Sequence, residues 1–325
     1  MLFQKKQTKN DKSNLNPVKG MLNGIRLNDL INEKNLSIMP LTKDKTKGFK
    51  CLTLDKAFAD NLASIREVSD SGSVSELKIQ NKGRKPLFLL DGEQLLGALQ
   101  NRTLNLSIMV PAKSSLVIPV SCVEEGRWGF RGSDRFVSSN HIYFSEGRRR
   151  RTRKINYSLA AGGERFSDQG EVWDDIDKKA EAMRTRSRTR SMDDMYENWE
   201  HQLEHFVDNL RPIKNQVGSI FLINGELKGL EIFDSASLFN HFYNKIIKSY
   251  AIDALEKMHA RQRQIQLSNI SSFLNDVKES DFNAYKAIGL GSDIRLSSTS
   301  LNLAGLEIEN NMIHFLAFRE RTNNY

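Results

Sequence analysis

Two Asx-Gly pairs constrain this chain more than any other feature. Asp91-Gly92 follows the apolar run 87–90, and Asn224-Gly225 follows the apolar run 220–223. A two-residue hairpin turn needs positive φ, which Gly and Asx tolerate, so each pair predicts a reversal between antiparallel strands. The surroundings also read alike, LFLLDGEQLLG at 87–97 and IFLINGELKG at 220–229. Turn chemistry alone accounts for such a match, and a duplicated hairpin unit is the sharper alternative.

The neighbouring segments extend the pattern. Residues 104–110 alternate Leu104, Leu106, Ile108 and Val110 against Asn105, Ser107 and Met109, which predicts a half-buried strand. After a turn at 111–115, residues 116–122 return with Leu116, Ile118, Val120 and Cys122 on one face. Residues 36–41 and 74–79 read as short strands and 54–65 as a short helix. Ser191 caps a helix in which Met192, Met195, Tyr196, Trp199, Leu203, Phe206, Val207 and Leu210 follow three-four spacing, and Pro212 stops it. A second helix starts at Asp234 or Ser235 and carries Phe239, Phe242, Ile246, Ile247, Tyr250, Ala254 and Leu255. A third covers about 267–277, and 294–318 is strand-like with a turn at Asn310-Asn311. The fold class is therefore α+β, mostly antiparallel hairpin-rich sheets packed with two or three amphipathic helices.

The net charge of +8 is unevenly spread. Residues 1–20 carry +4 and residues 145–190 carry +5, which leaves −1 for the remainder. Any charge-based case for nucleic-acid contact thus rests on the basic segments, and nucleic-acid or protein contact is an expectation from Arg148 to Lys154 and from Arg184 to Arg190. Aromatic interleaving is absent there, so base stacking has no support. The organisation expected is a flexible basic tail at 1–25 and one α+β domain at 26–320, with an Arg-rich insertion at about 145–190 that is a long surface loop or partly helical. Two cysteines, Cys51 and Cys122, make neither a disulfide framework nor a zinc set, and a cytoplasmic setting is expected. No run approaches the ~18 apolar residues that a membrane helix needs.

Polar residues gather at strand ends within 87–130. Asp91, Glu93, Gln100, Asn101 and Arg102 offer carboxylates, amides and a guanidinium, the last suited to a phosphate through its fork. Ser121, Cys122, Glu124, Glu125, Arg127 and Trp128 follow where a strand opens into a loop, the usual place for a site. Trp128 could stack on a flat ring. Turn chemistry and surface ion pairing are the plain alternative. Cys122, on an apolar face, reads as a small buried hydrophobe and not a nucleophile. His201, Glu204 and His205 match an inverted zinc-protease pattern, but both histidines fall on the solvent face of their helix, so no metal site is expected. No phosphate loop, dinucleotide fingerprint or Ser-His-Asp ordering stands out, and no cofactor is implied.

The blocks DGEQLLGALQNRTLN, VPAKSSLVIPVSCVEEGRW, QGEVWDDI, QVGSIFLINGELKGLEIFDS, KSYAIDAL and MIHFLAFR resemble the ADP-ribosylglycohydrolase and rhodanese-phosphatase-superfamily-associated protein domain family. The resemblance spans about 15–320. It implies a role near NAD or ADP-ribose metabolism, in a stress or defence system. The residues expected to serve it are Glu93 or Glu124 as general base, Arg102 or Arg127 on a phosphate, Trp128 on a base or ribose, and Gln100, Asn101 and Ser121 beside the ligand. A non-enzymatic interaction module, working through its helices or its Arg-rich segments, is the competing expectation.

Overall fold

The computed structural model describes residues 16–129 and 135–320. Residues 1–15, most of the expected tail, lie outside them, as does Phe130. Within the remainder of that stretch Pro17–Leu22 is a helix, capped by the Asn16 side chain and anchored by buried Val18.

Nine strands form the main sheet, every pair antiparallel. Its order is Arg26–Leu27, Leu36–Thr42, Gln216–Ile223, Glu226–Phe233, Asn311–Arg319, Leu301–Ile308, Ser292–Ser297 and Asn283–Lys286, with Ile31–Glu33 also on Leu36–Thr42. Gln216–Ile223 is buried along its whole length because both faces of this sheet are covered. Phe221 and Ile223 enter one core with the long helix Ala236–Glu256 and the helices Met192–Asn198 and Glu200–Asn209. Ile220 and Leu222 enter another with helices Pro17–Leu22 and Leu267–Lys278. Successive side chains of a strand point to opposite faces, so an unbroken apolar run suits this position. Each fully buried Phe, Ile or Leu is worth roughly 1.5–3 kcal/mol.

A third core lies between two smaller sheets. One has the order Phe136–Ile142, Glu93–Gly97, Arg102–Leu104, Ser114–Cys122, Glu76–Asn81 and Ala63–Glu67. The other has Ile108–Val110, Leu87–Leu89 and Leu52–Thr53, the last pair parallel. The α+β, mostly antiparallel expectation holds, and helix Ala236–Glu256 begins on Ser235, whose side chain caps it.

Several boundaries differ from expectation. Residues 104–110 are not one strand: Arg102–Leu104 and Ile108–Val110 belong to different sheets, and 105–107 crosses between them. The helix expected at 54–65 ends at Ala59, and Ala63–Glu67 is a strand, because Asn61 takes a left-handed φ of 56°. The helix expected from Ser191 breaks at Trp199. Asp91-Gly92 does not make a hairpin, since Leu87–Leu89 pairs with Ile108–Val110 while Glu93–Gly97 pairs in the six-stranded sheet. A duplicated hairpin unit is thereby excluded. The expected Arg-rich loop is two helices, Ser145–Ala160 and Gln169–Ala182. Among the described residues, no helix is long and apolar enough to cross a membrane.

Candidate functional site

Where Ser114–Cys122 ends, the chain turns through Glu124 to Trp128, and most of the expected site residues meet there. Arg127 donates from Nε to Glu124 Oε2 at 2.9 Å, from Nη1 to the carbonyls of Ala98 (2.7 Å) and Gly129 (2.8 Å), and from Nη2 to Asn101 Oδ1 at 3.0 Å. Glu124 also accepts from Thr189 Oγ1 at 2.8 Å and from the Asn101 backbone N–H at 3.3 Å. The Gln100 amide donates to the Glu124 carbonyl. Arg102 donates to the Gln100 carbonyl at 2.9 Å and its Oε1 at 3.1 Å, and lies 3.6 Å from Glu67. Burial pushes the Glu67 carboxyl upward, against the pull of Arg102. Trp128 covers Arg102 with ring and guanidinium 5.5 Å apart, and stays 51% exposed.

Gln100, Asn101, Arg102, Glu124, Arg127 and Trp128 thus converge, but on one another and on backbone carbonyls. Arg102 and Glu124 are wholly buried. What this arrangement does chemically is fasten the loops around 72, 98, 126 and 189 to one another. A buried pair in such a network is costly to break from one side only.

Glu93 goes elsewhere. Its Oε1 lies 3.1 Å from Lys245 Nζ, and its Oε2 accepts from the Leu90 N–H at 3.2 Å. Lys245 also pairs with Asp55 at 3.0 Å. Burial opposes ionisation of Asp55, but hydrogen bonding from His241 and the charge of Lys245 outweigh it and hold the carboxyl well below its usual range. Ser121 donates to Asn105 Oδ1 at 2.7 Å and meets Ser167 Oγ. Burial pushes the Cys122 thiol up to about 11, in keeping with a packing role. His201, Glu204 and His205 are exposed, as their helical phase predicts, and Glu204 pairs with Lys248 at 2.6 Å. Among the described residues no cluster of three or more His, Cys, Asp or Glu could hold a metal ion.

Two features lay beyond the sequence expectations. The first is a charged centre under helix Ser145–Ala160, which packs on the main sheet at Ser292–Ser297 and Leu301–Ile308. Arg148, fully buried, donates to both oxygens of Glu231 (2.6 and 3.2 Å) and to Asp91 Oδ1 at 2.9 Å. Arg151 lies 3.5 Å from Asp91 and 5.0 Å above the Tyr143 ring. Burial alone would raise Glu231, yet Arg148 and His314 bring it down to about 2. The signal that could have found this helix is three-four spacing: Arg148, Arg151, Thr152, Ile155 and Leu159 share its buried face.

The second feature is an open cleft of about 920 Å³. Its walls are the Asn224-Gly225 turn through Lys228, the residues after helix Ala236–Glu256, the strand end Phe318 to Glu320, and the start of helix Ser145–Ala160. Six cations line it, Arg149, Lys228, Lys257, Arg261, Arg263 and Arg319, against four anions, Glu146, Glu226, Asp253 and Glu320. Arg149 is held between Glu146 at 2.8 Å and Glu320 at 2.5 Å. Against burial, Lys257 joins Arg149 in holding the Glu146 carboxyl down through its charge, but among the described residues neither Lys257 nor Arg261 is in an ion pair within 4.0 Å.

The family model of the ARG and Rhodanese-Phosphatase-superfamily-associated Protein domain, ARPP-1, matches residues 24–318. The chain belongs to this family. Comparison with curated proteins and with solved structures gives no match. The ARPP-1 domain contains the Glu124–Arg127 network, the charged centre and nearly all of the cleft, of which only Arg319 and Glu320 fall beyond the matched residues.

Proposed function

We propose that this ARPP-1 domain binds a phosphorylated small molecule of the nucleotide class, such as ADP-ribose or NAD, in the 920 Å³ cleft. The observation that carries this is the cationic surplus of the lining, with Lys257 and Arg261 outside any close ion pair, in a cleft whose size suits a cofactor-sized ligand. Guanidinium and ammonium groups not already committed to carboxylates are the ones a phosphate can recruit. Leu227, partly exposed on the cleft wall, offers an apolar contact for a base or sugar face. Glu93, Glu124, Arg102 and Arg127 are committed to internal pairs, so the proposal is one of binding and moves the phosphate site away from them. Calorimetric titration with ADP-ribose, NAD and pyrophosphate tests it. Saturable heat that falls at least tenfold in affinity in Lys257→Glu/Arg261→Glu, and is unchanged in Trp128→Ala, is the expected result. No heat with any of the three overturns the ligand class, and heat indifferent to the double variant overturns the cleft.

A second reading has its own observation. In 184–190, Arg184, Arg186, Arg188 and Arg190 are all exposed, while Thr185, Ser187 and Thr189 are partly buried between them; Arg190 pairs with Glu125 at 2.5 Å and Asp177 at 3.3 Å, which leaves Arg184, Arg186 and Arg188 as the row. Ser187 Oγ donates to Asp194 at 2.6 Å and Thr189 O accepts from Gly126 N at 2.8 Å, so the strip is fixed. Such a row fits a nucleic-acid backbone. The 148–154 segment does not share this support, because Arg148 and Arg151 are buried and Arg150 and Lys154 pair with Asp175 and Glu171. Binding of a single-stranded oligonucleotide should fall steeply with salt and be lost in Arg184→Glu/Arg186→Glu/Arg188→Glu. Binding that ignores either change removes this reading.

A further inference from the structure

Ser107 and His314 are 207 residues apart in sequence, and their side chains share a 2.9 Å hydrogen bond between Oγ and Nδ1. Ser107 lies on the crossing between sheets, half-buried, and its Oγ also accepts from the Asp91 N–H at 2.9 Å. His314 lies on strand Asn311–Arg319 and is buried. Its ring is held against Phe233 and Phe88, with centroids 4.6 and 6.3 Å away. The far nitrogen, Nε2, makes no hydrogen bond and faces Glu231 Oε2 at 3.5 Å. Glu231 is itself gripped by Arg148 through both oxygens.

These partners decide the tautomer. Glu231 is an anion, since Arg148 and His314 stabilise its charged form. A carboxylate opposite Nε2 places the imidazole proton there, which leaves Nδ1 as the acceptor for the Ser107 hydroxyl. That is the arrangement of an activated nucleophile: hydroxyl, base, and an acid behind the base. It is recognised by roles and geometry and not by order in the chain. The 3.5 Å contact is long for a neutral ring and is the kind that tightens when an imidazolium forms.

A narrow pocket opens on the pair, lined by Asp91, Ser107, Asp293, Arg295 and His314. Its volume of about 10 Å³ is close to one water-sized sphere. It holds about one water beside Oγ and no acyl group, so a substrate would reach the half-buried Ser107 from its solvent side.

We propose that Ser107 is a catalytic nucleophile with His314 as its base, hydrolysing small carboxylic esters whose carbonyl reaches Oγ from the solvent side. Ser107 Oγ forms a bond to the ester carbonyl carbon as its proton passes to His314 Nδ1. The imidazolium then directs Nε2–H at Glu231. Collapse breaks the ester C–O bond, and the alcohol leaves with the proton from Nδ1. Water next attacks the acyl-serine, gives its proton to Nδ1, and releases the carboxylic acid as Ser107 recovers its hydrogen. The net change is ester plus water to acid plus alcohol, with no redox partner.

The test uses the full chain with p-nitrophenyl acetate. A burst of about one equivalent of nitrophenolate is expected, with an acetyl adduct on the Ser107 peptide after acid quench. Ser107→Ala removes burst and adduct without lowering the melting temperature by more than a few degrees. His314→Gln slows acylation at least 100-fold. Because His314→Gln is a core change, Ser107→Cys is the second variant: its introduced thiol should be alkylated by iodoacetamide at a lower pH than Cys51 in the same protein. Absence of a Ser107 adduct, or an introduced thiol no more reactive than Cys51, reduces the Ser107–His314 hydrogen bond to packing and overturns the proposal.

Discussion

Asp91-Gly92 and Asn224-Gly225 look interchangeable in sequence, yet they do different things. At Asn224-Gly225 both residues take left-handed φ, 52° and 75°, and the flanking strands pair with each other. At Asp91-Gly92 only the glycine does so, at 83°, and the flanking strands part into different sheets. The difference lies in where the first side chain goes. The Asn224 amide serves the turn region, donating to the Lys257 carbonyl at 2.9 Å and accepting from Asn35 at 3.0 Å. The Asp91 carboxylate turns inward to Arg148 and Arg151. At these two sites Asx-Gly makes a tight reversal in both, while the neutral Asn224 side chain stays with a closed hairpin and the Asp91 carboxylate feeds a buried ionic centre.

The most direct way to break this comparison is Asp91→Ala. Removing one partner of a buried pair leaves Arg148 and Arg151 under-compensated, at a cost of about 3–5 kcal/mol. Urea denaturation should show it, and a loss under ~1 kcal/mol, the worth of an exposed pair, would mean that Asp91 is only a turn residue. The glycines sharpen the contrast. A Cβ on Gly225 would lie 2.0 Å from the Arg263 carbonyl oxygen, a backbone atom that cannot step aside. With the positive φ, Gly225→Ala should cost about 3 kcal/mol. A Cβ on Gly92 would lie 2.9 Å from Arg148 Cδ, a much smaller overlap than the 2.0 Å approach at Gly225, so Gly92→Ala should cost about 2 kcal/mol. The reverse order would show that Arg148 is the more rigid neighbour. Asn224→Ala, which gives up two neutral hydrogen bonds, should cost about 1.5 kcal/mol by the same measurement.

Local periodicity carried much of the fold. Helix Ala236–Glu256 was legible because its apolar residues recur at helical spacing and Ser235 caps it. Gln216–Ile223 and Glu226–Phe233 were legible because turn and strands are contiguous. The convergence of Gln100, Asn101, Arg102, Glu124, Arg127 and Trp128 was legible too, since they flank paired strands. What residue types could not show is that these groups would bind each other, because a guanidinium meets a carbonyl and a phosphate with the same fork. The charged centre was hidden for another reason. An arginine run reads as solvated, and only the helical phase of Arg148 and Arg151 marks them as inward. Ser107 with His314, and Arg148 with Glu231, are pairings between distant strands and helices that no local pattern encodes.

The smallest effect separates the two turns by pH. The Glu231 carboxyl sits at about 2 in the folded protein, against an ordinary value of 4.5. A depressed carboxylate contributes stability that is present above its unfolded pKa and is lost as pH falls through the folded one. Glu231 therefore stabilises fully above about pH 5, and its contribution drains away between there and pH 2. From pH 5 to pH 4 this one group should withdraw somewhat under ~1 kcal/mol. In Glu231→Gln the urea midpoint should decline less over that interval than in the unaltered chain. In Asn224→Ala, whose lost bonds are neutral, the decline should match the unaltered chain while the midpoint sits lower throughout. Equal slopes for all three proteins would show that the ionic centre does not depend on the Glu231 charge. The two turns would then differ in geometry alone.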